Sequence, residues 1–284
     1  MSRWGGCVCC PECGNEKIYR TNRGFRCADR KCAKKFTVTV GTIMECSKIK
    51  LRYWFAAMYL ISAHKKGISS HQLARDLGVC QKTAWFLNHR IRSAMGGVKI
   101  SGQMSGEVQV DETYLGAKRA NLHGWKRKEV VDKYGTTGFG EKTAIVGLLE
   151  KHTGIVIAHK ITKADALTLK PIVHANVQPG SVVVTDGLSA YTGLNKHFKH
   201  MVVNHSTGEY VSNGFHTNGI ENFWSLYKRM IIGIYHHVSE KHIDRYCEEM
   251  AYRFNSRKIT DRQRFDLILT QTEGRLSWKT LVNE

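Results

Sequence analysis

The chain has 284 residues, 42% of them hydrophobic, with three prolines and no low-complexity tract; it can bury a core of its own and does not have the composition of a disordered protein. Its 43 Lys and Arg against 24 Asp and Glu leave a formal net charge of +19. That charge runs through the whole chain without a long apolar face beside it, which points to a polyanion partner, nucleic acid, and away from a membrane. The longest apolar stretch, Tyr53 to Ala63, falls short of the ~20 residues a membrane span needs, and the first residues hold no signal-peptide core. A cytoplasmic protein close to the nucleoid is expected, with its nine cysteines serving as metal ligands or buried thiols instead of disulfides.

Residues 1–40 read as a small metal-stapled unit. Cys10 and Cys13, with Gly14 behind them, form a knuckle in which two thiolates can share an ion; Cys27 and Cys32 form a second pair. Four thiolates in two close pairs suit one structural, tetrahedral Zn²⁺, whose binding folds a segment too short to hold itself together. Cys7 and Cys9 offer a competing register for the first pair. Lys17, Arg20, Arg23 and Arg26 lie between the pairs, as phosphate contact requires.

Residues 41–97 read as helical. Leu51, Phe55, Met58 and Tyr59, then Leu73, Leu77, Leu87 and Ile91, recur at spacings near three and four. Gly78 follows Ala74 by four positions, as the turn of a helix-turn-helix requires. The second helix, from Gln81, is expected to present Gln81, Lys82, Thr83, Asn88 and Arg92 outward to base edges and phosphates of double-stranded DNA.

From about residue 105 the period becomes that of strands: EVQVDETYLG, TAIVGLLEK, GIVIAHKIT and, after a helical pattern from Ala164 to Val177, SVVVTDG. This is an α/β pattern, a mixed sheet covered by helices. A basic insertion, Ala117 to Glu141, is expected to form a mobile loop, and an amphipathic helix starts near Gly219. Three acids stand one per element: Asp111 in the first strand, Asp186 where the fourth strand stops, and Glu221 near the start of the late helix. Each has a structural alternative. Asp186–Gly187 can be a turn, Asp111–Glu112 a solvated strand end, and Asn218 with Glu221 a capping box.

At CPECG and the second Cys pair, VDETYLG, VVVTDG with Tyr191, HTNGIENFWSLYKR and YHHVSEKHIDRYCEEMAYRFNSR, the chain resembles the ISXO-like DDE insertion-sequence transposases. The resemblance implies a zinc ribbon (1–40), a helix-turn-helix region (41–97), an RNase H-like catalytic domain (98–262) and a helical tail (263–284). It implies Asp111, Asp186 and Glu221 as a catalytic triad, with Lys228 as its basic companion. Three carboxylates without a His or Cys cluster suit Mg²⁺ or Mn²⁺, two per active site. The implied activity frees a 3′-OH at transposon ends and transfers it to target DNA, in a homodimer or larger assembly. Arg229, Arg245 and Arg253 are read as backbone contacts, and Trp224 as core. A non-cutting DNA-binding regulator and a nuclease that cleaves without joining are the alternatives.

Overall fold

The computed structural model describes residues 7–97, 102–116, 142–203 and 214–283, together with positions 128, 131, 132 and 211. The insertion expected to be mobile, Ala117 to Glu141, lies outside the described residues except at three of those positions. The chain forms two compact units: Met1–Val98 with Ile259–Glu284, and Lys99–Lys258.

The first unit begins with a three-stranded antiparallel sheet in the order β1 (Ile18–Thr21), β2 (Gly24–Cys27), β3 (Lys35–Phe36). Three helices follow, α1 (Leu51–Ala63), α2 (Ser70–Leu77) and α3 (Gln81–Gly96). The Ser69 side chain caps α2 by accepting from the Gln72 amide at 3.1 Å. Gly78, at φ +63°, ends it in the left-handed conformation that a side chain disfavours. Leu73, Leu77, Ala84 and Leu87 are buried where the two helices meet across that turn.

The second unit holds β4 (Glu107–Leu115), β5 (Thr143–Glu150), β6 (Ile155–Ile161), α4 (Ala166–Asn176), β7 (Val182–Thr185), β8 (Lys199–Val202), α5 (Asn218–Met230) and α6 (Ile243–Asn255). Its sheet runs in the order β6-β5-β4-β7-β8. β5 is antiparallel to both neighbours, whereas β4, β7 and β8 are parallel to one another. This is the RNase H-like arrangement. Every residue of β5 from Ala144 to Leu149 is buried, as a strand covered on both faces must be. Val108, Val110, Val146 and Leu148 pack with Leu169 and Val173 of α4 on one side. Ile145, Leu149, Val156 and Ala158 pack with Phe223, Trp224, Cys247 and Phe254 of α5 and α6 on the other. At roughly 1.5–3 kcal/mol for each large side chain taken from water, these two layers hold the sheet between its helices.

The chain then returns to the first unit with α7 (Asp261–Thr270) and the short α8 (Trp278–Asn283). The Ile43 amide donates to the Thr272 carbonyl at 2.9 Å and Gly274 to Gly41 at 3.0 Å. Among the described residues no helix is long and apolar enough to cross a membrane.

Candidate catalytic and metal sites

β4 and β7 run parallel with Gln109 opposite Val184, so two residues further along, Asp111 and Asp186 leave neighbouring strands at the same level. The structure brings a third acid to them. Carboxylate oxygens of Asp111, Glu112 and Asp186 all lie within 4.8 Å of one another. Glu112, a solvated strand end by sequence pattern alone, is half-buried and accepts a hydrogen bond from the Tyr191 hydroxyl. Asp186 is anchored by the Leu188 amide, which donates to Oδ1 at 3.0 Å.

Glu221 stands outside this close group of three but acts on it. α5 is docked on the sheet through Gln109, whose Oε1 accepts from the Ile220 amide at 3.1 Å. Gly219 permits the approach, since a Cβ there would come within 2.6 Å of Gln109 Oε1. The next residue, Glu221, is exposed, and its Oε1 accepts from the Thr217 hydroxyl at 2.6 Å. The N-cap is Thr217, one residue before Asn218, and it makes no side-chain capping bond, so the Asn218–Glu221 capping box is not what places this acid.

The electrostatics follow from that crowding. Burial, then the charges of Asp186 and Glu221, push the Asp111 carboxyl up to about 6. Burial, then Asp111 and Asp186, push Glu112 up to about 8. Carboxylates pressed together out of water favour whatever neutralises them, a proton or a cation. The donor set is oxygen throughout, which fits a hard divalent ion of the Mg²⁺ or Mn²⁺ kind. Lys228 is exposed two helical turns beyond Glu221, about 10 Å along the axis.

In the first unit, the Sγ atoms of Cys10, Cys13, Cys27 and Cys32 lie within 4.8 Å of one another. Cys10 and Cys32 are 3.7 Å apart, and Cys13 and Cys27 3.5 Å. A tetrahedron with ~2.3 Å metal–sulfur bonds has edges of about 3.8 Å, so these thiols fit one zinc ion. Gly14, at φ +73°, turns the knuckle and donates to the Cys10 carbonyl at 2.9 Å. Cys7 and Cys9 are outside the group of four.

The expected reading face of α3 needs correction. Gln81 and Lys82 are exposed and Thr83 half-buried, but Asn88 and Arg92 are each only 3% exposed. Leu87 to Arg92 are all buried: the middle of α3 is surrounded, and only its first turn reaches the surface. Arg90 shows why, with Nε donating to the Leu276 carbonyl at 2.9 Å and Nη2 to the Glu45 carbonyl at 2.7 Å. Helical periodicity marks one apolar stripe and does not register elements that cover the other sides. Lys82 Nζ sits 4.8 Å over the Trp278 ring. Arg253 is likewise no surface contact; it is buried against Glu249, with Nη2 to Oε1 at 2.6 Å.

Residues 103–255 match the model of the ISXO2-like transposase domain. The chain is 29% identical over 242 residues to an uncharacterised protein in transposable element ISH50 of Halobacterium salinarum, covering 81% of this chain and 79% of that protein. It is 34% identical over 100 residues to an uncharacterised transposase-like protein of Haemophilus influenzae, covering 35% of this chain and 80% of the relative. Among solved structures, the HTLV-2 integrase catalytic core domain in complex with magnesium is similar at a TM-score of 0.28 and 13% identity, over 51% of this chain and 84% of that one. With the family model spanning more than half of its length, the chain belongs to the ISXO2-like transposase family.

Proposed function

We propose that this transposase cuts DNA at the ends of the element that encodes it and joins each freed 3′ end to target DNA, with the first unit binding the ends and the second doing the chemistry. The observation that carries the reading is the meeting of Asp111 and Asp186 on adjacent strands, with Glu221 carried over them by α5. Asp111, Asp186 and Glu221 hold the divalent ions, Mg²⁺ or Mn²⁺ and two per site. Bound there, such ions supply Lewis acidity to the attacking and leaving oxygens of a phosphodiester.

The protein's own part is placement. Strand pairing fixes Asp111 against Asp186, and the Gln109–Ile220 bond fixes the height of Glu221 above them. Lys228, exposed on the same helix, holds a backbone phosphate and so sets which bond lies over the acids. Gln81, Lys82 and Thr83 on the first turn of α3 face the DNA, and Cys10, Cys13, Cys27 and Cys32 hold the zinc that shapes the ribbon. Joining two ends requires at least two protomers, and the work is done in the cytoplasm on nucleoid DNA.

The test is a joining assay with purified protein, Mg²⁺ and linear DNA bearing the element's own ends. Wild type is expected to give strand-transfer products. Asp111→Ala and Glu221→Ala are each expected to abolish cutting and joining while leaving end binding within about threefold, since phosphate contacts elsewhere carry the affinity. Cutting without joining by the wild type would make it a nuclease of another kind; binding without cutting would make it a regulator.

A further inference from the structure

Asp111 and Asp186 ride on separate strands, and a hydrogen-bonded path joins them through the core. The Leu188 amide donates to Asp186 Oδ1 at 3.0 Å, and the Leu188 carbonyl accepts from the Tyr191 amide at 3.1 Å. The Tyr191 hydroxyl donates to Glu112 Oε1. Glu112 follows Asp111 directly in β4. Tyr191 ends a short 3-10 turn, Ser189–Tyr191, and is 1% exposed, its ring packed in the layer with Val110, Leu169 and Leu194. A phenol that deep needs an acceptor for its proton, and the carboxylate of Glu112 is the one it has.

Alternation along β4 sends Glu112 to the Val108–Val110 side of the sheet and Asp111 to the other. A carboxylate on the core side, next to two acids that bind cations, is free to swing toward them or away unless something holds it. Tyr191 is the group that holds it, and Leu188, which caps the same short turn, holds Asp186.

We propose that Tyr191 and Glu112 are a positioning pair for the metal-binding carboxylates. Through Glu112 the phenol ties the end of β4 to the turn that carries Asp186, and so sets the spacing a cation meets. Tyr191 touches no reacting atom; it acts through Glu112. The inference rests on Asp111 and Asp186 being ligands, as read above.

The test uses the full-length, zinc-loaded protein titrated with Mn²⁺, with free ion followed by electron paramagnetic resonance and strand transfer measured beside it. Tyr191→Phe keeps the ring in its place. It is expected to weaken Mn²⁺ binding about tenfold, as the loss of a supporting hydrogen bond behind a metal ligand does, with an unchanged circular dichroism spectrum. Glu112→Ala is expected to lose about as much, and the double variant no more than either single change, because both cut one link. Glu112→Gln keeps an oxygen for the phenol to donate to and is expected to recover most of the lost affinity.

Three results would overturn the pair: Tyr191→Phe binding Mn²⁺ like wild type, losses that multiply in the double variant, or Glu112→Gln binding as weakly as Glu112→Ala. The last would make Glu112 a charged ligand in its own right. Asp111→Asn tests the underlying reading separately. If it binds Mn²⁺ as tightly as wild type, the triad assignment fails whatever Tyr191 does.

Discussion

Trp224 fills the space that a side chain at residue 147 would need: a Cβ on Gly147 would stand 2.6 Å from Trp224 Cζ2. Gly147 is the cross-strand partner of Asp111, so the indole lies directly beside the carboxylate expected to bind metal. Trp224 is 3% exposed, and its indole N–H faces the Asp111 carboxyl, whose rise it opposes. Gly147→Ala must displace the ring. We expect a loss of roughly 1–3 kcal/mol in urea unfolding, the usual cost of forcing atoms into a packed core, and a fall in strand transfer. An alanine variant as stable and active as wild type would show that the ring moves aside freely.

Zinc is expected at one ion per chain. Cys27→Ser should remove it and unfold the three-stranded sheet, because so short a segment buries too little to stand alone. Only Cys10, Cys27 and Phe36 form its buried core among the described residues. Metal analysis together with limited proteolysis checks this. The expected pattern is rapid cleavage within residues 7–40 and an intact second unit. Zinc retained at full occupancy by the variant would remove Cys27 from the ligand set.

Glu248 makes stability depend on pH. Burial first, and the neighbouring Asp244 next, push its carboxyl up to about 7, while Arg245 opposes the shift. The folded chain therefore holds this proton more tightly than the unfolded chain. The stabilisation it gives is complete below pH ~4.5 and is lost as pH rises through ~7. Glu248→Gln, which needs no proton, should gain on wild type by on the order of 2 kcal/mol between pH 5 and pH 8.5, read from denaturation midpoints. Parallel curves for the two proteins across that range would contradict the assignment.

Arg253 is expected to matter for folding and not for DNA. Glu249 is fully buried and is met by Arg253 and by the Tyr235 hydroxyl, at 2.8 Å to Oε1. Arg253→Met strands most of that charge and should cost about 3–5 kcal/mol, the penalty for one lost partner of a buried pair. A double change, Arg253→Met with Glu249→Leu, should regain much of the loss and bind DNA like wild type. A weakened salt dependence of DNA binding in the double variant would return Arg253 to the phosphate contacts.

The order of elements in the second unit was legible because each strand is a dense β-branched run. The three acids stood out because they interrupt or end such runs. β8 was not read as a strand: Lys199, His200, Met201 and Val202 carry too little apolar signal, and the pairing with β7 decides it. Glu112 does not stand out in the sequence, because no local pattern shows that Tyr191 lies against it. Asn88 and Arg92 look outward in the sequence for a similar reason, although both are buried. A helix drawn alone has a free face, and in α3 that face is filled from elsewhere. The cysteine register is not legible in spacing alone, because which thiols converge is a matter of space: Cys10, Cys13, Cys27 and Cys32 come together while Cys7 and Cys9 lie outside that group.

The first unit is made from both ends of the chain. Arg90 of α3 binds the carbonyl of Leu276, Thr42 bridges to Glu273, and Trp278 stacks edge-on against Trp85 and Phe86. During synthesis, at roughly 5–20 residues per second, the helices around Arg90 must therefore wait until the entire sheet-bearing unit has been translated before their packing is complete. A ribosome that stops short of residue 270 releases a polypeptide that holds every acid of the second unit's site but lacks the segment that closes the first unit.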